Sequence, residues 1–111
     1  MKIFITGGAG FIGSALIRHL VTNTQHEIIN IDKLTYAGNL LNLDKIKDNY
    51  KYKFKQLDIN NFLEISQLFD IEKPHIIINL AAESHVDRSI SEPSDFIKTN
   101  ILGTYSLLEI V

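Results

Sequence analysis

The sequence predicts an α/β fold with a doubly wound parallel sheet, because short apolar strands alternate with helical segments along the whole chain. Four runs are rich in β-branched and aromatic residues, as strands are. These strand candidates are residues 3–6, 28–31, 52–57 and 76–80. Strands that alternate with helices imply right-handed crossovers and helices on both faces of the sheet. The 111 residues suffice for one domain, and 45% of them are hydrophobic.

A change of hydrophobic period predicts the first strand and the first helix. Residues 3–6 form an apolar run that stops at Gly7, as a buried strand does. From Phe11 onward, apolar residues recur at helical spacing instead. The members of this stripe are Ile12, Ala15, Leu16 and Leu20. Because such a stripe faces the core, we expect these four side chains to be buried.

Three further helices are expected, one after each of the later strands. The first is short and covers residues 40–47, and the second is capped by Asn60 or Asn61 and followed by Pro74. The stripe of the second is Phe62, Ile65, Leu68 and Phe69. The last helix begins near Pro93, which suits a first helical position. Its stripe is Phe96, Ile97, Ile101, Leu107 and Leu108.

Composition and charge argue against several classes of partner. A net charge of -2 gives no reason to expect a nucleic-acid partner, and acidic residues interrupt the lysine-rich residues 45–55. The chain has no cysteine, which excludes disulfides and thiolate metal sites and fits a cytoplasmic protein. No run approaches the roughly 20 apolar residues that span a bilayer. We therefore expect a cytoplasmic protein without a membrane segment or a metal site.

A glycine-rich turn separates the first strand from the first helix. Gly8, Gly10 and Gly13 satisfy G-x-G-x-x-G, and Gly7 precedes them. Glycine is needed where the backbone takes positive φ and where it approaches a pyrophosphate closely, while the helix start attracts phosphate. This context predicts a Rossmann-type dinucleotide site, with a merely structural turn as the alternative. A P-loop is excluded, because no Gly-Lys-Ser/Thr follows.

Acidic residues follow the second and third strands at positions that suit an adenosine moiety. Asp32 lies roughly 20 residues after the glycines, where a carboxylate accepts hydrogen bonds from ribose hydroxyls. A 2′-phosphate there would face a like charge, so NAD is favoured over NADP, although Lys33 could soften this preference. Asp58 follows the third strand and is equally consistent with an adenine contact or a turn. Asp32 could instead be a loop acid or a helix cap.

A polar loop follows the small residues that end the fourth strand, Leu80, Ala81 and Ala82. Its chemically active side chains are Glu83, Ser84, His85, Asp87 and Arg88. A hydrolytic triad is disfavoured, because its members would converge from separate elements and not from one short loop. A metal site is disfavoured, because one histidine and scattered acids make no ligand set. Since open α/β sheets bind ligands at this edge, the loop is interpreted as positioning a substrate and a nicotinamide.

Three segments resemble a known family of enzymes. They read TGGAGFIGS at residues 6–14, DKLTYAGN at 32–39 and LAAESHVDRSI at 80–90, followed by TNILGT at 99–104. The first is similar to the cofactor turn of the extended short-chain dehydrogenase/reductases, the NAD-dependent epimerase/dehydratase group. The others resemble, within that group, the dTDP-glucose 4,6-dehydratases. The resemblance covers essentially the whole chain.

The resemblance implies cofactor-binding residues along the carboxyl edge of the sheet. With the turn glycines Gly7, Gly10 and Gly13, Phe11 and Ile12 would border the pyrophosphate. The residues implied around the adenosine are Asp32, Lys33, Leu34 and Thr35 for the ribose, and Asp58 and Ile59 for the adenine. The residues implied along the rest of NAD are Leu80, Ala81, Ala82, Glu83, Ser84 and Thr99. Those implied near the sugar-nucleotide substrate, dTDP-glucose, are Ser84, His85, Asp87 and Arg88.

The resemblance also implies a lyase reaction with no net redox change. C4 of the glucosyl group is oxidised, water is lost across C5 and C6, and hydride returns to C6. The family's Tyr-x-x-x-Lys and Thr-Asp-Glu segments do not occur here, so we expect no catalytic residue and no activity from this chain alone. Asn100 matches a helix asparagine that supports the active site in many relatives.

The domain organisation expected is that of an N-terminal part. Residues 1–111 would form the front of an NAD-binding domain, truncated after about four strands, with the remainder and the substrate domain absent. The full-length parent is expected to be a homodimer, since relatives dimerise partly through the helix that begins near Pro93. Two alternatives remain, a sugar-nucleotide 4-epimerase of the same family and a non-catalytic NAD-binding module.

Overall fold

The computed structural model describes residues 1–34, 39–81 and 93–111. Within this part of the chain, four parallel strands form one sheet in the order β3-β2-β1-β4. They are β1 (Lys2–Thr6), β2 (Glu27–Ile31), β3 (Tyr52–Lys55) and β4 (Ile76–Asn79). The chain moves outward from β1 to β3 and then returns to the other side of β1. This topology confirms the predicted α/β, Rossmann-type sheet.

The helices follow the strands in the expected alternation. They are α1 (Phe11–Asn23), a 3₁₀-helix (Leu40–Leu43), α2 (Phe62–Glu72), α3 (Pro93–Phe96), a π-helix (Ile97–Gly103) and α4 (Thr104–Ile110). The last three are consecutive. In the described ranges, none of these helices has the length and apolar character needed to cross a membrane.

Hydrophobic residues cover both faces of the sheet, because successive side chains of a strand point to opposite faces. On one face, buried residues of β1, α1, β2 and the segment that leads into β3 pack together: Ile3, Ile5, Ile17, Val21, Ile28, Leu43, Ile46 and Tyr52. On the other, the sheet packs against α2 and α4 through Phe4, Ile29, Ile31, Ile59, Ile65, Leu68 and Leu107. Both faces are therefore covered around β1 and β2, whereas β3 is covered on one face and β4 is only partly buried.

The stripe predicted for α1 is wrong in position. Ile12 is 70% exposed and Ala15 is also exposed, whereas Ile17 and Val21 are buried. Leu16 and Leu20 pack only at the margin of the core. A different row of α1 residues faces the sheet, because the small residues Gly13 and Ser14 of its first turn are buried there. Without a side chain at Gly13, the helix lies directly against the glycine turn.

The segment after β2 is less helical than predicted. A 3₁₀-helix covers Leu40–Leu43, and turns take the place of the helix expected over residues 44–47. The Asn39 side chain accepts a hydrogen bond from the Leu41 amide at 2.9 Å, which favours a tight local turn. The cap expected for α2 is confirmed, because Asn61 accepts a hydrogen bond from the Glu64 amide at 3.3 Å.

The stripe predicted after Pro93 is confirmed only at Leu107, which is 4% exposed. Ile97, Ile101 and Leu108 are 51%, 61% and 70% exposed, and the Phe96 side chain lies outside the described part. The buried positions of the π-helix are Thr99 and Gly103. A π-helix has a wider turn than an α-helix, so it changes which residues face the sheet. The 3.6-residue period used for the prediction does not apply there.

Candidate functional site

The glycine turn lies at the carboxyl end of β1, in the centre of the sheet. Gly7 has φ 71°, its amide donates to the Ile31 carbonyl at 2.8 Å, and its carbonyl accepts from the Gly10 amide at 3.1 Å. A Cβ on Gly7 would lie 2.6 Å from the Ala81 nitrogen. Glycine is thus required at this position both by its dihedral angle and by the approach of the chain after β4.

Two more glycines allow close packing around the turn. A Cβ on Gly8 would overlap the Asn30 Oδ1 atom, and a Cβ on Gly13 would overlap the Gly7 carbonyl. The structure therefore confirms that these glycines permit a tight strand-to-helix connection. It leaves no room for a side chain on the side of the turn that faces the sheet.

The first turn of α1 presents main-chain amides that find no acceptor among the residues the structure describes. Gly10 caps the helix in an extended conformation, no side chain caps it, and its first turn has no acidic residue. The first intrahelical bond is donated by Ser14 to the Gly10 carbonyl at 2.9 Å, which leaves the amides of Phe11, Ile12 and Gly13 without an intrahelical acceptor. The Phe11 side chain is 90% exposed. These open amides and the positive end of the helix dipole favour an anion.

Asp32 lies at the carboxyl end of β2 and is 8% exposed. Its Oδ2 accepts a hydrogen bond from the Ala9 amide at 2.9 Å, and its Oδ1 accepts one from the Leu34 amide at 2.7 Å. Its main chain bonds to Lys55 and Leu57 at the end of β3. A carboxylate has about four lone-pair sites, so with respect to the described residues each oxygen keeps one for a further donor. The structure thus places this carboxylate between the glycine turn and the carboxyl end of β3.

Lys33 and Asp58 connect the ends of β2 and β3. The Lys33 Nζ atom lies 3.9 Å from Asp58 Oδ2, while Asp58 Oδ1 accepts from the Asn60 amide at 2.9 Å. Both side chains are partly exposed, at 34% and 44%. Asp58 therefore forms a turn and an ion pair at once, and it retains access to solvent at the edge of the sheet.

Besides Asp32, the predicted cofactor residues Ile59 and Thr99 have buried side chains. Ile59 is 4% exposed and packs against Gly103, where a Cβ would overlap its Cδ1 atom. A contact from Ile59 to an adenine would therefore involve its main chain. Thr99 is also 4% exposed, and its hydroxyl has no hydrogen-bond partner in the described part of the chain.

A chain of polar side chains links β1, β4 and the π-helix, and the sequence reading missed it. Thr6 donates to Asn79 Oδ1 at 2.5 Å, and Asn79 Nδ2 donates to the Thr104 hydroxyl at 3.1 Å. Thr104 in turn donates to the Asn100 carbonyl at 3.1 Å. The Ala81 amide donates to the Thr6 hydroxyl at 3.3 Å. The one sequence signal was an asparagine that ends an otherwise apolar strand, residues 76–79.

Asn30 and Tyr52 form a second polar contact, beneath the glycine turn. Asn30 is fully buried, and its Nδ2 donates to the Tyr52 hydroxyl at 3.1 Å. Its Oδ1 has no hydrogen-bond partner in the described ranges. Burial raises the pKa of Tyr52, the bond from Asn30 opposes this, and the charge of Asp32 adds to the rise. Tyr52 therefore stays protonated at neutral pH.

The described residues form one continuous edge suited to a dinucleotide. Open amides lie at the start of α1, a carboxylate follows β2, and Leu80 and Ala81 follow β4. A group with two phosphates and a ribose fits this arrangement, because each of its polar parts meets a suitable partner. Seven predicted site residues lie outside the described part of the chain: Thr35, Ala82, Glu83, Ser84, His85, Asp87 and Arg88.

Comparison with known families identifies the kind of domain to which this edge belongs. The sequence profile of the GDP-mannose 4,6 dehydratase family matches residues 4–111. The chain belongs to the GDP-mannose 4,6 dehydratase family. This membership fits the sheet order and the glycine turn. It also agrees with the resemblance of the sequence to the epimerase/dehydratase group.

Individual proteins show a graded similarity. The dTDP-glucose 4,6-dehydratase of Escherichia coli is 60% identical over 109 residues, which is 98% of this chain and 30% of that protein. A crystal structure of dTDP-glucose 4,6-dehydratase from Streptomyces venezuelae, with NAD bound, matches with a TM-score of 0.92 and 39% identity, over 99% of this chain and 35% of that one. The UDP-Glc/GlcNAc 4-epimerase from Campylobacter jejuni matches with a TM-score of 0.88 and 33% identity, over 98% of this chain and 32% of that one.

The chain thus spans about a third of the length of the proteins it matches. The fold alone does not separate a dehydratase from an epimerase, because both structures superpose well. Between the two solved structures the identities also lie close together, at 39% and 33%, whereas the Escherichia coli dehydratase is 60% identical.

Proposed function

We propose that the chain is the NAD-binding part of a dTDP-glucose 4,6-dehydratase. Such an enzyme is a lyase that converts dTDP-glucose to dTDP-4-keto-6-deoxyglucose. The observation that carries the proposal is the 60% identity to the Escherichia coli dehydratase across 98% of the chain. Residues 1–111 would form the N-terminal part of the NAD-binding domain, and the rest of that domain and the substrate domain would lie in the remainder of the enzyme.

The pyrophosphate of NAD would lie over the glycine turn. The amides of Phe11 and Ile12 would donate to its oxygens, because no described residue accepts from them. Gly7, Gly10 and Gly13 would allow the phosphates to approach the main chain. The exposed side chains of Phe11 and Ile12 would then flank the bound pyrophosphate.

Asp32 would accept hydrogen bonds from the adenosine ribose through its remaining lone pairs. A 2′-phosphate would meet this carboxylate in a buried setting, so NAD would be preferred over NADP. Lys33 would do little to attract a 2′-phosphate, because its ammonium forms an ion pair with Asp58. Leu34 and Thr35 would complete the ribose contacts, and Asp58 and the Ile59 main chain would meet the adenine.

The other half of NAD would pass over the end of β4. Thr99 supports this path, because its buried hydroxyl has no partner in the described chain. The remaining cofactor contacts would come from Leu80, Ala81, Ala82, Glu83 and Ser84. The residues proposed to contact the sugar nucleotide are Ser84, His85, Asp87 and Arg88.

Bound NAD would supply a hydride acceptor for the C4 oxidation of the sugar. What residues 1–111 contribute is the binding and orientation of cofactor and substrate. The acid, base and elimination groups would come from the Tyr-x-x-x-Lys and Thr-Asp-Glu segments elsewhere in the enzyme. This chain alone would therefore bind ligands without turning over substrate.

A homodimer is proposed for the full-length enzyme, in the cytoplasm. An apolar stripe on the π-helix and α4 supports it, since its side chains are about half exposed or more. The stripe consists of Ile97, Ile101, Tyr105 and Leu108. A two-fold axis beside this stripe would bury it against its copy in the partner.

The proposed reaction is tested by mass spectrometry of the sugar nucleotide after incubation with the full-length enzyme. A dehydratase converts dTDP-glucose to a product that has lost one water. A 4-epimerase, the second candidate because its fold also matches, leaves the mass unchanged and inverts C4. A non-catalytic NAD-binding module returns dTDP-glucose unaltered. Loss of water supports the proposal, and either other outcome contradicts it.

A further inference from the structure

Asp32 makes a contact that ribose recognition does not explain. Its Oδ2 accepts a hydrogen bond at 2.9 Å from the amide of Ala9, in the middle of the glycine turn. The carbonyl of the same Ala9 accepts from the Asn39 amide at 2.9 Å. The peptide groups on both sides of Ala9 are therefore held by residues that follow β2. Ala9 is also fully buried.

The turn needs such restraint because of its composition. Gly7, Gly8 and Gly10 occupy three of its four positions between β1 and α1. Glycine has the greatest backbone freedom in the unbound state, so a glycine-rich turn loses more entropy when a ligand orders it. A turn already held in its binding conformation avoids part of that loss.

Asp32 is itself rigidly placed. Its amide donates to the Lys55 carbonyl at 3.2 Å, its carbonyl accepts from the Leu57 amide at 3.3 Å, and its Oδ1 accepts from the Leu34 amide at 2.7 Å. Two main-chain bonds therefore fix the Asp32 backbone, one bond holds its carboxylate, and the bond from the Ala9 amide ties the turn to that carboxylate. A flexible surface acid could not restrain a neighbouring turn in this way.

From this geometry we infer that Asp32 is a positioning residue for the phosphate-binding turn, in addition to its ribose contact. This inference rests on the proposed NAD site. One carboxylate then serves two subsites: its free lone pairs face the ribose hydroxyls, and its bond to Ala9 fixes the amides that face the pyrophosphate. Loss of the carboxylate weakens phosphate binding even for a ligand without ribose hydroxyls.

A chemical double-mutant cycle separates the two roles. The full-length protein and its Asp32→Ala variant are titrated with ADP and with 2′,3′-dideoxy-ADP, which lacks the ribose hydroxyls but keeps the diphosphate. We expect the variant to bind dideoxy-ADP about tenfold more weakly than the unaltered protein, as for the loss of one charged hydrogen bond. Equal dideoxy-ADP affinity in both proteins, with a loss for ADP only, would overturn the inference.

A second measurement needs no ligand. Site-resolved hydrogen exchange in the unliganded protein should show faster exchange of the Ala9 amide in Asp32→Ala. Asp58→Ala is the matched control, because its carboxylate also ends a strand at the adenosine side but bonds to Asn60 and Lys33. It should leave the Ala9 amide protected. Unchanged Ala9 exchange in Asp32→Ala contradicts the inference.

Two further outcomes are distinguishable. Asp32→Asn keeps one acceptor oxygen, so it should retain more Ala9 protection than Asp32→Ala, and it replaces that variant if the latter does not fold. If the unaltered protein binds neither nucleotide, the proposed NAD site fails. The exchange experiment then still decides whether Asp32 holds the turn.

Discussion

The two ends of α1 meet very different surroundings. At its N-terminus, beside the carboxyl ends of the strands, the first amides have no acceptor within residues 1–34, 39–81 and 93–111, and Phe11 is almost fully exposed. At its C-terminus, the Lys51 ammonium donates to the carbonyls of Val21 and Thr24 at 2.7 and 2.6 Å. Lys51 is 8% exposed, so a buried cation neutralises the negative end of the helix dipole.

The difference extends to the whole sheet. The amino end is closed by charge pairs, in which Lys2 lies 3.0 Å and Lys53 lies 3.5 Å from the carboxylate oxygens of Glu72. Among the described residues, the carboxyl end keeps open amides and a carboxylate with free lone pairs. In this part of the chain, one end thus satisfies its polar groups internally, and the other leaves some available to a ligand. Substitutions at the two ends should separate stability from binding.

The largest effect on binding is expected for Gly13→Ala at the carboxyl end. The added Cβ would overlap the Gly7 carbonyl, so the turn must shift away from its phosphate-binding position. We expect NAD affinity to fall by about 100-fold, at the upper end of what overpacking strain produces. Calorimetric titration measures this, and circular dichroism checks the fold. Ala15→Val, on the exposed side of the same helix, is the control and should bind normally.

The next effect is expected at the amino end, for Lys51→Met. This change removes the cation from the carbonyls of Val21 and Thr24, and we expect the free energy of unfolding to fall by about 2 kcal/mol. NAD affinity of the folded protein should be unchanged. Lys53→Met is the matched control, because Lys53 is 56% exposed and its ion pair contributes less than about 1 kcal/mol. Equal losses in both variants would contradict the assigned role of Lys51.

Tyr52 should contribute less than Lys51 to the free energy of unfolding, and its contribution should change with pH in the alkaline range. Tyr52→Phe removes the acceptor of Asn30, and we expect a loss of about 1 kcal/mol in denaturant unfolding. Because burial raises the pKa of Tyr52, the folded state holds its proton more tightly than the unfolded state. Stability should therefore fall as the pH rises above about 10, the ordinary value for tyrosine. Tyr52→Phe should flatten that decline, and an unchanged alkaline slope would contradict this account.

The smallest effect is expected for Glu72→Gln. The hydrogen bond from Lys2, and then its charge and that of Lys53, lower the pKa of Glu72 in the folded protein, against an opposing effect of burial. Its contribution is therefore present above the ordinary glutamate value and lost as the pH falls through the lowered value. Since salt screens such pairs, we expect less than about 1 kcal/mol at neutral pH. Thermal melts between neutral and acidic pH should show a shallower acid decline in the variant.

Local patterns were sufficient to predict the sheet and the glycine turn. Runs of β-branched residues indicate the strands. The structure explains the glycines Gly7, Gly8 and Gly13, because a side chain at each would collide with neighbouring atoms. The position of Asp32 at the end of β2 also follows from its spacing to the turn. These features depend on residues that are close in sequence or on a fixed motif length.

Helix orientation could not be predicted in the same way. Ile12 belonged to the expected stripe of α1 but is exposed. Because Gly13 packs against the turn, Ile17 and Val21 face the sheet instead. The π-helix at Ile97–Gly103 changes the period after which side chains return to one face. The bond from Ala9 to Asp32 joins residues 23 positions apart, so no local pattern reveals it.

The central claim is that the carboxyl end of this sheet binds NAD. Its most direct test is a calorimetric comparison of NAD and NADP with the full-length protein, prepared free of nucleotide. The account predicts saturable binding of one NAD per chain, with at least about tenfold weaker binding of NADP because its 2′-phosphate faces Asp32. No binding of either dinucleotide, or equal affinity for both, would contradict it.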